Sequence, residues 1–222
     1  MQTLTLSGWT QPVDALLGIV PDAIAFDYSN YSDAPSAIAA LAQYRDIETI
    51  VAWSMGAQLV IKALAAQALA PKKLILIAAP FQFVSTPDFT HGMDPFTFSQ
   101  FRENYASNPK RTSERFHSLV AKGDKDPKRI ASALSHHSHV HDAARWLPWL
   151  DGLGVDSLKG LQIEAAPHTV LIHGDMDAIV PVAQATHIHA MMPKSALKIW
   201  QGVAHAPHLH DAECIKSYLT MA

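Results

Sequence analysis

Three short segments of the chain carry side chains whose combination could do acyl-transfer chemistry. The first reads Ala52-Trp53-Ser54-Met55-Gly56-Ala57, after the strand-like run Thr49–Trp53 and before the helical run Gln58–Ala68. A serine on a sharp strand-to-helix turn projects its hydroxyl, and it needs small residues on either side because the turn brings those backbones together. Ala52, Gly56 and Ala57 supply them, although the common form of the motif has glycine where Ala52 stands. A serine that only caps the helix is the alternative reading of this segment.

The second segment, Gly174-Asp175-Met176-Asp177-Ala178-Ile179-Val180-Pro181, follows the strand-like run Thr169–His173. It puts carboxylates at the C-terminal end of a strand, the edge where open α/β sheets gather their functional groups. Asp177, further into the loop and just before the helix start at Pro181, is the expected acid. Asp175 is the second choice, and a turn-forming aspartate is the alternative. The third segment, Gly202-Val203-Ala204-His205-Ala206-Pro207, follows Ala196–Trp200. A histidine there can stand between acid and nucleophile, take the serine proton and be oriented by the carboxylate. His205 is the expected base, with His208 and His210 as competitors beyond Pro207. The developing oxyanion needs N–H donors, for which the backbones of Met55 and Trp9 are the candidates, the latter in the loop Ser7-Gly8-Trp9. Packing is the simpler role for the Trp9 side chain.

These segments need a scaffold that brings them to one edge. Strand-like runs recur at Leu4–Ser7, Ala23–Phe26, Thr49–Trp53, Lys73–Ala78, Thr169–His173 and Ala196–Trp200. Helical stretches fall between or after them at Ala34–Tyr44, Gly56–Ala68, Val182–Met191 and Asp211–Met221. Continuous apolar strands alternating with helices predict an α/β fold with a mostly parallel sheet of about six strands. The alternation stops near Pro80 and resumes near Pro167. Residues 81–166 hold Pro87, Pro95, Pro109, Pro127 and Pro148 between helix-length pieces such as Thr112–Ala121 and Lys128–His141, so they read as an inserted helical lid on a core of residues 1–80 and 167–222.

With 222 residues, 49% hydrophobic and 17% charged, the chain suits one packed domain and not a disordered segment. Its single cysteine, Cys214, cannot form an intramolecular disulfide, and no signal peptide or membrane-length apolar run stands out, so a cytoplasmic monomer is expected. The formal charge of −3 hides an asymmetry: residues 101–130 carry eight Lys/Arg against four Asp/Glu, a net of +4 that leaves −7 elsewhere. That segment could face an anionic partner or be a solvated helix face. The global basicity of a nucleic-acid binder is absent. His136, His137, His139 and His141 crowd one stretch, but their spacing, without a carboxylate or cysteine pattern, does not make a metal site, and neither metal nor cofactor is expected.

Taken together, the segments resemble the α/β-hydrolase fold, and within it the carboxylesterases of biotin synthesis that hydrolyse pimeloyl-[acyl-carrier protein] methyl ester. The likeness rests on Gly8-Trp9, on Trp53-Ser54-Met55-Gly56, on Asp177 before Val180-Pro181, and on Ala204-His205-Ala206-Pro207. In the lid, Arg111-Thr112-Ser113-Glu114-Arg115-Phe116 is similar to the family's segment whose two arginines hold the carrier protein. Lys128 stands where that family has a third arginine and Ser132 where it has a fourth. The resemblance implies an esterase that uses no cofactor and takes its substrate from an acyl-carrier protein. It further implies that Trp9, Phe101 and Phe116 contact the substrate, and that Arg111, Arg115 and Lys128 contact the carrier. Two departures accompany it: the first two strands of the usual eight are expected to be absent, and Ser7 replaces a histidine that often precedes Gly-Trp. A short-chain ester, lactone or thioester hydrolase keeps the same triad. A non-catalytic ligand receptor on this scaffold is the reading from another class.

Overall fold

Runs of β-branched and leucine residues pair into one parallel sheet in the computed structural model, which describes residues 2–137, 142–163, 167–192 and 194–220. The strands are β1 (Thr3–Leu6), β2 (Ile24–Ala25), β3 (Thr49–Trp53), β4 (Lys73–Ile77), β5 (His168–Gly174) and β6 (Ala196–Trp200). They lie in the order β2-β1-β3-β4-β5-β6, every pair parallel, with Leu6 opposite Ala52, Trp53 opposite Ile77 and Gly174 opposite Trp200. Leu4, Leu6, Ile50, Leu74, Ile75 and Ile77 are fully buried, because helices cover both faces. Each such side chain contributes about 1.5–3 kcal/mol of transfer free energy.

Helix α1 (Ala34–Leu41) starts at a capping box in which Asp33 and Ser36 satisfy each other's backbone N–H groups. Helix α2 (Met55–Ala65) follows Ser54 without a break. Among the described residues four helices intervene between β4 and β5: α3 (Pro95–Ser107), α4 (Pro109–Val120), α5 (Pro127–His137) and α6 (Ala143–Val155). Helices α7 (Ala183–Met191), α8 (Pro207–His210) and α9 (Ala212–Thr220) complete the order.

The prolines of the inserted segment start its helices as well as separating them. Pro95, Pro109 and Pro127 each occupy the first helical position, where a missing N–H costs nothing, and Asp94 and Asn108 cap the turns that follow. Sequence reading finds α4 and α5 but not α3 or α6. Pro148 lies inside α6, so treating it as a break splits that helix. The helix expected at Lys128–His141 is described only to His137, and the side chains of His136 and His137, with residues 138–141, lie outside the described residues.

The strand order reverses at β1, whose neighbours are β2 on one side and β3 on the other. Open α/β sheets bind ligands outside the carboxyl ends of the strands at such a switch point. Here the two loops at the switch are Ser7-Gly8-Trp9 and the turn at Ser54.

Candidate active site

Ser54 has φ +54 and ψ −124, a conformation that costs a non-glycine residue of order 1–3 kcal/mol and is kept where the surroundings enforce it. Its N–H donates to the Ile77 carbonyl at 2.8 Å, extending the β3–β4 ladder into the turn. Gly56 explains why the turn needs a small residue: a Cβ there would fall 2.5 Å from the Ser7 carbonyl oxygen and 2.7 Å from that of Leu6. Helix α2 therefore begins in contact with the loop after β1, and any side chain at position 56 would push them apart.

His205 and Asp177 arrive from the loops after β6 and β5. His205 Nε2 lies 2.9 Å from Ser54 Oγ, and His205 Nδ1 lies 2.6 Å from Asp177 Oδ2. Because Nδ1 faces a carboxylate, it carries the proton, which leaves Nε2 to accept from the hydroxyl. The Asp177 side chain is fully buried and His205 is nearly so. Asp177 Oδ1 accepts the backbone N–H groups of Ile179 at 2.9 Å and Val180 at 2.8 Å. Burial pushes the Asp177 carboxyl up, but the charge of neighbouring His205, with hydrogen bonds from His173 and His205, outweighs it and holds the group well below the usual carboxylate range. Such a chain can move a proton from hydroxyl to imidazole and stabilise the imidazolium that results.

Asp175 is turned elsewhere. Its Oδ1 accepts the Gly202 N–H at 2.7 Å, so it braces the histidine loop without touching the imidazole. His208 is buried with its ring 4.3 Å from Trp53, and burial, aided by the charge of His205, pushes its imidazole down to about 3. His210 faces Asp124, with Nδ1 3.1 Å from Oδ1. Neither of these histidines is hydrogen-bonded to Ser54 or Asp177.

One participant escapes sequence reading. His173, the penultimate residue of β5, places Nε2 2.8 Å from the Val180 carbonyl oxygen and 3.1 Å from Asp177 Oδ2. Both neighbours are acceptors, so Nε2 carries the proton, and Asp177 Oδ2 receives N–H groups from two imidazoles. The signal in the sequence is a histidine four residues before the expected acid, at the functional end of its strand.

Trp9 and Ser54 line one narrow cleft together with Phe101, Phe116, Leu150 and His205. The Trp9 ring packs at 4.7–5.5 Å between centroids against Tyr105, Phe101 and Phe116, and its Nε1–H donates to the Trp146 carbonyl at 3.2 Å. The inserted helices thus supply one wall of the cleft. Met55 opens α2 directly after Ser54. Arg111 and Arg115 stand exposed on α4, and Lys128 stands exposed on α5. Arg115 borders an apolar groove shared by Met93, Phe96, Phe101 and Phe116, whereas Arg111 and Lys128 line neither the groove nor the cleft. Among the described residues no helix is long and apolar enough to cross a membrane.

The sequence pattern of the alpha/beta hydrolase family matches residues 6–216, and the chain belongs to that family. It is similar to the biotin biosynthesis bifunctional protein BioHC of Cellvibrio japonicus, 25% identical over 211 residues, which are 90% of this chain and 41% of that protein. The pimeloyl-[acyl-carrier protein] methyl ester esterase of Nitrosomonas europaea is 29% identical over 171 residues, covering 74% of this chain and 67% of the other. Among solved structures, an esterase from Exiguobacterium antarcticum superposes with a TM-score of 0.81 at 17% identity, over 99% of this chain and 90% of the other. A hydrolase from Oleispira antarctica gives 0.80 at 14% identity, over 99% and 89%. At those identities the solved structures speak to the fold alone. The chain spans less than half of the bifunctional relative's length.

Proposed function

We propose that this chain is a serine carboxylesterase that hydrolyses a methyl ester at the end of an acyl chain, the substrate being pimeloyl-acyl-carrier-protein methyl ester in biotin synthesis. The observation that carries the chemistry is the hydrogen-bonded chain from Ser54 Oγ through both nitrogens of His205 to Asp177. The relatives named as pimeloyl-[acyl-carrier protein] methyl ester esterases support the choice of substrate.

In this reading Ser54 Oγ attacks the ester carbonyl while His205 Nε2 takes the hydroxyl proton. The backbone N–H groups of Met55 and Trp9 stabilise the oxyanion, and the imidazolium gives its proton to the departing methanol. Water, deprotonated by His205, then attacks the acyl-Ser54 ester, and the free acid leaves with Ser54 restored. Residues 81–166 act as a lid whose Phe101 and Phe116 contact the acyl chain beside Trp9. Arg111, Arg115 and Lys128 on that lid meet the acidic carrier.

A fluorophosphonate probe and a complementation assay test both halves. Ser54 should be the labelled residue, and the gene should restore growth of a biotin-requiring strain that lacks its own esterase, whereas Ser54→Ala should do neither. Labelling without rescue would keep the hydrolase and discard the substrate. Folded protein that is not labelled at Ser54 would remove the mechanism.

A further inference from the structure

The turn between α4 and α5 is where the inserted helices meet the loops carrying Asp177 and His205. The Val120 carbonyl accepts the backbone N–H of His205 at 3.2 Å. Asp124 reaches the same loop with its side chain, which is 1% exposed. Its Oδ2 accepts the Ala204 N–H at 3.2 Å, its Oδ1 accepts the Asp126 N–H at 3.0 Å, and both oxygens lie 3.1–3.2 Å from His210 Nδ1.

The contact extends to the acid loop. Gly123 has φ +94, open to glycine at little cost, and a Cβ there would fall 2.9 Å from Met176 Cβ, so the turn rests on the residue next to Asp177. Arg129 donates to the Leu209 carbonyl at 2.8 Å, in helix α8 just beyond the histidine loop. From the other side the loop is held by Trp53, whose Nε1–H donates to the His205 carbonyl at 2.9 Å, and by Asp175 at Gly202. The histidine backbone is therefore gripped between the sheet and the inserted helices.

A buried carboxylate is costly unless its oxygens are filled by donors. Burial raises the Asp124 carboxyl, but the hydrogen bonds from Asp126, His210 and Ala204 outweigh it and hold the group below its ordinary value. It is ionised, and every contact it makes is one it accepts. Removing it would leave the Ala204 N–H, one residue before His205, without its acceptor. We propose that Asp124 is a positioning residue. From the α4–α5 turn it fixes the Ala204–His205 backbone, so that the imidazole stays within reach of Ser54 and the seating of the inserted helices sets the turnover of the site. The proposal rests on the serine esterase reading above.

Displacing a reacting group by about 1 Å can cost on the order of a hundredfold in rate. Asp124→Ala should therefore lower kcat on a small free ester by about that factor. Asp124→Asn, which keeps one acceptor oxygen, should lower it by about tenfold. KM should change less than about twofold in both, because Asp124 does not line the cleft. Turnover is read per active site, counted by fluorophosphonate labelling of Ser54, with the melting temperature measured alongside. A purely structural role would lower the melting temperature or the number of labelled sites and leave turnover per site unchanged. That result, or a loss confined to KM, overturns the proposal. Should Asp124→Ala not fold, Asp124→Asn and His210→Gln, which removes only the imidazole partner, are read by the same criterion. A wild-type protein that neither labels at Ser54 nor hydrolyses the ester overturns the esterase reading and takes this inference with it. A wild type that does both, matched per site by the Asp124 variants, overturns this inference alone.

Discussion

Replacing Asp177 by asparagine separates the two aspartates of one loop. Oδ1 of Asp177 accepts two backbone N–H groups, from Ile179 and Val180, so an asparagine there keeps its oxygen on that side. Its NH2 must then stand where Oδ2 was, facing His205 Nδ1 and the Nε2–H of His173. A donor against Nδ1 drives His205 to the other tautomer, with the proton on Nε2 and pointed at Ser54 Oγ, where it cannot serve as base. The NH2 also meets the His173 N–H donor to donor. The expected loss in kcat is on the order of 10⁴, equivalent to about 5 kcal/mol of transition-state stabilisation. Asp175→Asn, by contrast, keeps an oxygen for the Gly202 N–H and should stay within a few fold of wild type. The assay is release of a chromogenic alcohol from a short ester by protein whose fold is checked by circular dichroism. A crippled Asp175→Asn beside a mild Asp177→Asn would refute the assignment, and a loss under tenfold for Asp177→Asn would refute the tautomer argument.

The buried histidines predict acid sensitivity of the fold. Burial holds His208 at about 3 and His117 at about 4, both below the unfolded value near 6.5, so the stability of keeping them neutral is present above that value and is lost as pH falls toward the folded values. At pH 5 each costs about 2 kcal/mol, whereas the stability from the depressed Asp177 carboxyl is lost only as pH falls through the ordinary carboxylate value toward its lower folded one. Urea unfolding at pH 8 and pH 5 should show His208→Phe losing about 2 kcal/mol less than wild type between the two, and equal losses would refute it. On the lid, Arg111→Glu with Arg115→Glu should raise KM for a carrier-linked ester, more at low salt than at high, and leave a small free ester nearly untouched. Equal loss on both substrates would mean a damaged lid, and no loss on either would return the arginines to a solvated face.

Local sequence was enough for the six strands and for the three segments that meet at the cleft. The apolar runs at Thr49–Trp53 and Lys73–Ile77 bury on both faces and announce parallel strands by composition alone; Ser54 and Asp177 each follow such a run, and His205 follows the partly exposed edge strand β6. What joins them is strand order, and that depends on pairings far apart in sequence: β1 beside β3, and β4 beside β5 across the inserted helices. Loop position in the sequence favours Asp177 over Asp175, and in the structure a pair of N–H groups fixes Asp177 Oδ1 and turns Oδ2 toward His205. His173 reads as a strand residue until its register puts Nε2 against the carboxylate. Asp124 reads as a turn residue until α4 and α5 pack beside the histidine loop. Helix α6 is hidden locally by Pro148 and forms because Trp146, Trp149, Leu150 and Leu153 are buried against the core, a gain that outweighs the local proline penalty. Backbone propensity and hydrophobic periodicity act over a few residues, so the sequence shows them directly. Side-chain partners are decided by which loops the sheet order brings within about 3 Å of one another, and only the tertiary structure holds that information.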